Sequence, residues 1–214
     1  MALIFIGTCP YAIRMVWRLN INNMKTVGLV IAKGESRRLK NKNFRKFSGK
    51  LMFMWSVEKC LKVFNETYVS SDNDFILEEA KKAGAIPIKR PQELCESDVM
   101  NVPVYQHAME HMGNPDIMIA VKADSPTTDI EIVKKIKDLM ERYKYDEIMT
   151  AYPVRGYADK SAVYGSVWAI NKEKLATYKD PMMPEPKVLV VDPAIDIHNE
   201  EDLANATKQL KEQE

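Results

Sequence analysis

Cysteine is scarce in this chain: Cys9, Cys60 and Cys95 stand far apart, with no CxxC pair. That excludes a disulfide framework and a thiolate zinc site, and it fits free thiols in a reducing, cytoplasmic setting. No apolar run reaches the roughly 18 to 20 residues that cross a bilayer, so no membrane partner is expected. Net charge is nearly absent too. Lys and Arg number 31 against 30 Asp and Glu, a net charge of +1, whereas a chain that binds nucleic acid in bulk carries a basic excess. There is no internal repeat and no low-complexity segment. Two familiar phosphate-binding signatures, G-x-x-x-x-G-K-[ST] and G-x-G-x-x-G, do not occur.

What remains is an ordinary globular composition, 46% hydrophobic and 29% charged, in 214 residues that suit one domain. The first 23 residues differ from the rest. They open without a basic stretch, and Arg14 and Arg18 interrupt their apolar run, a poor match to a secretory signal. Residues 1–23 are read as an N-terminal extension without an assigned role. Met24 reads as a natural start, and 24–214 as a single domain.

The informative stretch is Lys33-Gly-Glu-Ser-Arg-Arg-Leu-Lys-Asn-Lys-Asn-Phe-Arg-Lys-Phe-Ser-Gly-Lys50. Eight basic residues and one acid, Glu35, give it a local charge of +7. It follows Thr26–Ala32, an apolar run that reads as a buried strand. A Gly- and Ser-containing loop at that place can aim backbone N–H groups and cations at a polyphosphate. A merely solvated turn and a nucleic-acid patch are the alternatives. The Gly, Ser and Lys-Asn placement is not needed for solvation, and no aromatic stacking motif is interleaved.

Strand and helix signals alternate along the rest. Phe53, Val57, Cys60 and Phe64 recur at helical spacing. Strands are expected at Glu66–Ser71, Ala85–Lys89, Ile117–Val121, Glu147–Tyr152, Val163–Ile170 and Lys187–Val191. Helices are expected at Asp74–Ala83, around Val102–Met112, at Ile130–Tyr143, and after Asn199, an N-cap with Asp202 three residues on. This alternation predicts an α/β fold, a mostly parallel sheet covered on both faces. Such sheets bind ligands beyond the carboxyl ends of their strands. The basic loop, Ser70-Ser71-Asp72 and Lys122-Ala-Asp124-Ser-Pro126 all fall at such ends.

The loop pattern Ala32-Lys33-Gly34-x-Ser36-Arg37-x-Leu39-x-x-Lys42-Asn43, then Phe47-x-Gly49-Lys50, resembles the nucleotide-binding signature of the acid-sugar cytidylyltransferases, typified by CMP-N-acylneuraminate synthetases. Over about residues 25–214, other segments are similar to theirs in order and spacing. These are Ser70-Ser71-Asp72, Arg90-Pro91-x-Glu93-Leu94 with Asp98, Asp124-x-Pro126, Ala194-Ile-Asp196-Ile, and Glu201-Asp202-Leu203.

The resemblance implies a three-layer α/β/α, Rossmann-like nucleotide-diphospho-sugar transferase fold. It implies transfer of CMP from CTP to an acidic sugar, with Mg2+, in a homodimer whose 150–180 region reaches the partner. Carried over position by position, Lys33, Arg37 and Lys42 would bind the triphosphate. Ala32, Gly34, Ser36 and Asn43, with Ser70 and Arg90, would hold the nucleotide, and Asp124 and Asp196 the magnesium. This chain departs from the pattern in several places. Lys33 replaces an arginine, Glu35 a glycine, and Lys122-Ala-Asp-Ser-Pro126 replaces Q-P-T-S-P. His198 replaces the second acid of the terminal motif. Nucleotidylyl transfer with another sugar or NTP, and a non-catalytic nucleotide binder, therefore stand as alternatives.

Other residues carry bland readings beside functional ones. Asp124 either caps the turn that follows or binds metal, and Asp196 either sits in a plain loop or binds metal. Arg90 either pairs with Glu93 or Glu96 or meets substrate. His107 and His111, four apart, read as surface or rim residues. Arg155 and Tyr157 serve a sugar site, a dimer contact or an ordinary loop. The methionines read as core filler, and Trp55 and Trp168 as core or interface anchors.

Overall fold

The computed structural model describes residues 24–36, 39–96, 99–151, 164–179 and 188–213. Arg37, the 1–23 extension, Asp98, Arg155 and Tyr157 lie outside them, as does part of the proposed 150–180 dimer region. In chain order, β1 is Thr26–Ile31, followed by a 3-10 turn at Lys42–Phe44. Lys46–Phe47 (β2) and Lys50–Leu51 (β3) pair as a small antiparallel hairpin. Then come α1 (Met52–Val63), β4 (Thr67–Ser71), α2 (Asp74–Lys82), β5 (Ile86–Lys89), α3 (Asn101–His111), β6 (Ile117–Lys122) and α4 (Ile130–Tyr143). β7 (Glu147–Ala151), β8 (Tyr164–Asn171), α5 (Lys172–Thr177), β9 (Leu189–Val191) and α6 (Glu200–Gln213) complete it.

Among the described residues, seven strands form one sheet in the order β5-β4-β1-β6-β8-β7-β9. β8 is antiparallel to both β6 and β7, and the other pairings are parallel. The mostly parallel, three-layer α/β/α architecture expected from the sequence is the observed one. Two apolar clusters lie on opposite faces of the sheet. Along β1 and β6 the alternation of a strand divides them: Val27, Leu29, Met118 and Ala120 meet α3 and α5, while Val30, Ile117, Ile119 and Val121 meet α1, α2 and α4. Burial of both faces is why these strands read as continuous apolar runs. Gly28 has a packing reason: a Cβ there would stand 2.5 Å from Phe64 Cδ2.

A third cluster positions the site. Leu39, Phe47 and Met52 pack on Ile197, Ala206 and Leu210. The basic loop and its hairpin are thereby docked on the segment that enters α6. The sequence reading left out β2, β3, α5 and the 3-10 turns at Lys42–Phe44 and Gln92–Cys95, because pieces of two to six residues show no periodicity. Among the described residues no helix is long and apolar enough to cross a membrane.

Candidate active site

β4, β1 and β6 are neighbours in the sheet, so their carboxyl ends bring three loops together. The loop after β1 is held open by its own polar groups. Gly34 N–H donates to Asp72 Oδ1 at 2.8 Å, and Asn43 Nδ2 donates to the Lys33 carbonyl at 2.7 Å. Gly34 is tight against the β4 turn: a Cβ would lie 3.0 Å from Asn73 Cβ and 3.1 Å from Asp72 Oδ2. Asn73 in turn caps α2, accepting from Ile76 N–H.

Asn41, at φ 55, is left-handed and turns the chain into the 3-10 segment that buries Lys42. The Lys42 ammonium donates to Asp124 Oδ2 at 2.5 Å and to the Ile197 carbonyl at 2.8 Å. Burial pushes the Asp124 carboxyl upward, but the Lys42 charge and hydrogen bond outweigh it and hold Asp124 below the usual carboxylate range. Asp196 goes the other way. Burial and the neighbouring Asp124 charge raise its pKa, against the Lys122 ammonium at 3.1 Å. His198 Nε2 is 3.3 Å from the same Asp196 oxygen. The other oxygen, Asp196 Oδ1, is buried without a hydrogen-bond partner.

Arg90 follows β5 and is buried. It donates to the Ser70 carbonyl at 2.8 Å and to Ser70 Oγ at 3.3 Å. Burial lowers its pKa, yet a guanidinium stays charged at neutral pH. A cleft of about 460 Å³ lies between these groups, lined by Lys33, Ser36, Lys42, Asn43, Arg90, Lys122, Asp124, Asp196 and His198 among others. It shares Lys33, Glu35, Ser36 and Glu96 with an adjoining hollow of about 660 Å³, where Gly34, Asp72 and Asn73 contribute.

Of the residues singled out from sequence, Lys33, Ser36, Lys42, Asn43, Arg90, Asp124 and Asp196 meet at this cleft, and Gly34 at the hollow beside it. Ala32 is different: its side chain is in the core, and its N–H donates to the Ser70 carbonyl. Ser70 is fully buried and supports Arg90 from below. Asp72 and Lys122 had no role assigned from sequence, and His198 stood only as a departure from the acid of the terminal motif, a poorer magnesium ligand. Asp72 fixes Gly34, Lys122 meets Asp196 and His198 flanks Asp196. Their signal was adjacency to Ser70, Asp124 and Asp196; the partners themselves come from distant segments. His107 and His111 stack at 4.3 Å between ring centroids on α3 and do not line the cleft.

The donor set fits a divalent cation. One ligand atom each from Asp124, Asp196 and His198 lie within 4.8 Å of one another, and the unpartnered Asp196 oxygen is a ready acceptor. Cations interleaved with carboxylates in one cleft suit a polyphosphate with its counter-ion.

Comparison with known proteins bears on the family and the fold. A cytidylyltransferase family model matches residues 27–181. Pseudaminic acid cytidylyltransferase of Campylobacter jejuni is 31% identical over 119 residues, 52% of this chain and 51% of that protein. N-acylneuraminate cytidylyltransferase A of Danio rerio is 23% identical over 124 residues, 57% of this chain and 29% of that protein. The matched stretch thus spans about half the length of the Campylobacter relative. Among solved structures, CMP:2-keto-3-deoxy-manno-octonic acid synthetase complexed with CTP superposes with a TM-score of 0.69. The identity is 14%, over 89% of this chain and all of the other, which speaks for the fold. With the family model covering most of the described sheet, the chain belongs to the cytidylyltransferase family.

Proposed function

We propose that the protein transfers CMP from CTP to an acidic sugar, giving a CMP-sugar and pyrophosphate. The observation that carries this is the meeting of Lys33, Lys42 and Arg90 with Asp124 and Asp196 at the carboxyl ends of adjacent strands. In the reaction a sugar hydroxyl gives up its proton to solvent as its oxygen bonds to the α-phosphorus, and the bond from the α-phosphorus to the bridging oxygen breaks, that oxygen leaving with pyrophosphate. Negative charge grows on the nonbridging oxygens and on the departing pyrophosphate, so catalysis rests on positioning and neutralisation. Lys33 and Lys42 supply positive charge at the triphosphate. The Gly34–Ser36 backbone lets phosphate oxygens approach closely, and the Asp72 bond holds that loop in place. Asp124 and Asp196 are the groups to hold Mg2+, which when bound neutralises phosphate oxygens. The acidic sugar class is supported by what the relatives' names say they act on. A cytoplasmic homodimer belongs to the same reading.

One observation favours a second reading, nucleotide binding without turnover. The Lys42 and Lys122 ammonium groups already sit on both carboxylates. The deciding experiment is pyrophosphate release with Mg2+ and, separately, with Mn2+, each of the four NTPs, and a panel of nonulosonic and octulosonic acids, with Asp124→Asn alongside. Release with CTP and one acid, lost in the variant, is the expected result. CTP binding with no release for any acid would select the second reading.

A further inference from the structure

We propose that His198 is a third, nitrogen ligand of the cation at Asp124 and Asp196, so that the site selects a transition-metal ion, manganese or cobalt, over magnesium. This rests on the reading of those carboxylates as a cation site.

The backbone around His198 is pinned on both sides. Ile197 is fully buried, its N–H donates to the Asp124 carbonyl at 2.9 Å, and its own carbonyl accepts from Lys42. With Ile197 turned into the core, Asp196 and His198 both face the cleft, and both line it. From behind, the His198 N–H donates to Asp202 Oδ2 at 2.8 Å, part of the cap of α6. The imidazole is therefore delivered to the carboxylates by a fixed frame. Its Nε2 stands 3.3 Å from Asp196 Oδ2, while Asp196 Oδ1 is buried with no partner.

The ligand chemistry then discriminates between metals. Magnesium is hard, asks for an oxygen octahedron and keeps its waters. An imidazole nitrogen beside two carboxylates suits the later first-row ions, whose affinity for nitrogen rises along the series from manganese. A histidine nitrogen in the donor set moves the site in that direction.

The test uses the full chain with CTP and Mn2+ as the probe, with the histidines labelled with 15N. Pulsed EPR of bound Mn2+ is expected to show an imidazole nitrogen coupling that switches from the 14N to the 15N pattern on labelling. His198→Ala is expected to remove the coupling and weaken Mn2+ binding by roughly tenfold or more, with Mg2+ competition much less affected. Mn2+ bound without histidine coupling, and held equally by His198→Ala, overturns the proposal while Asp124 and Asp196 stand as the cation site. No Mn2+ bound by folded protein with CTP overturns both. The coupling in the unsubstituted protein decides the matter even if the variant fails to fold.

Discussion

The Lys42 ammonium and the Asp124 carboxylate, 82 residues apart in the chain, meet at 2.5 Å, and the same ammonium bonds the Ile197 carbonyl 155 residues away. One cation thus ties the loop after β1, the end of β6 and the entry to α6. Removing one partner of such a pair strands the other charge. Lys42→Met is expected to cost about 2 to 3 kcal/mol at neutral pH, less than a fully buried pair, because Asp124 keeps some exposure. The sign with pH follows. Asp124 is held below its unfolded pKa, so its contribution is present above the unfolded value, near 4, and is lost as pH falls through the folded value. Urea unfolding of both proteins should show the gap at pH 7 narrowing below about pH 4. A gap that is constant with pH would mean that Lys42 acts only through packing.

Much of the fold was legible because its signals are local and repeated. Ile132, Val133, Ile136, Leu139 and Met140 recur at helical spacing, and α4 runs from Ile130 to Tyr143 as read. The Asn199–Asp202 box was legible for the same reason, and Asp202 N–H does donate to Asn199 Oδ1 at 2.9 Å. Loops at strand ends were readable as a group, since topology alone brings the ends of β4, β1 and β6 together. Pairings across long separations were not. Nothing near Arg90 in sequence points to Ser70, its actual partner, in place of Glu93 or Glu96. Nothing near Lys122 points to Asp196, and the orientation of His198 depends on the burial of Ile197. The Arg90 contact follows from the pairing of β4 with β5, and the other two lie where the third apolar cluster docks the segment entering α6, which has no periodic signature.

Lys59 offers a test of electrostatics away from the cleft. Its ammonium donates to the Pro126 carbonyl and lies 5.8 Å from the centre of the Trp55 ring. Burial pulls its pKa down from 10.5 to about 8. For a lysine lowered in this way, both states are protonated below pH 8 and the full cost of burying the charge is present. Between pH 8 and 10.5 the unfolded chain holds more protons, so stability rises with pH. The adjacent Cys60 thiol, pushed by burial from 9.0 up to about 12, acts oppositely above pH 9, where the unfolded chain loses its proton first. Between pH 8 and 9 the Lys59 effect is the larger of the two, because the unfolded Cys60 thiol has only begun to titrate. Thermal midpoints of the unsubstituted protein should gain on those of Lys59→Met across that window, and parallel curves would contradict the assignment.

The loop after β1 can be tested without touching a charge. Gly34 is not in the left-handed region, so alanine is free of backbone strain there. The problem is space, with Asn73 Cβ at 3.0 Å and Asp72 Oδ2 at 3.1 Å from the new methyl. These neighbours belong to the turn after β4, and Asp72 also holds the Gly34 N–H. An added methyl must push the loop away from that turn and carry Lys33 and Ser36 with it. The displacement falls on exposed and half-buried residues rather than on the apolar clusters, so the thermal midpoint should hardly move. Misplacing a positioning loop by a fraction of an ångström is enough to weaken phosphate contacts by about tenfold. Gly34→Ala is therefore expected to weaken CTP binding by about that factor in calorimetry, at unchanged stability. Unchanged CTP affinity would place the triphosphate away from this loop, and the cations Lys33 and Lys42 would need another role.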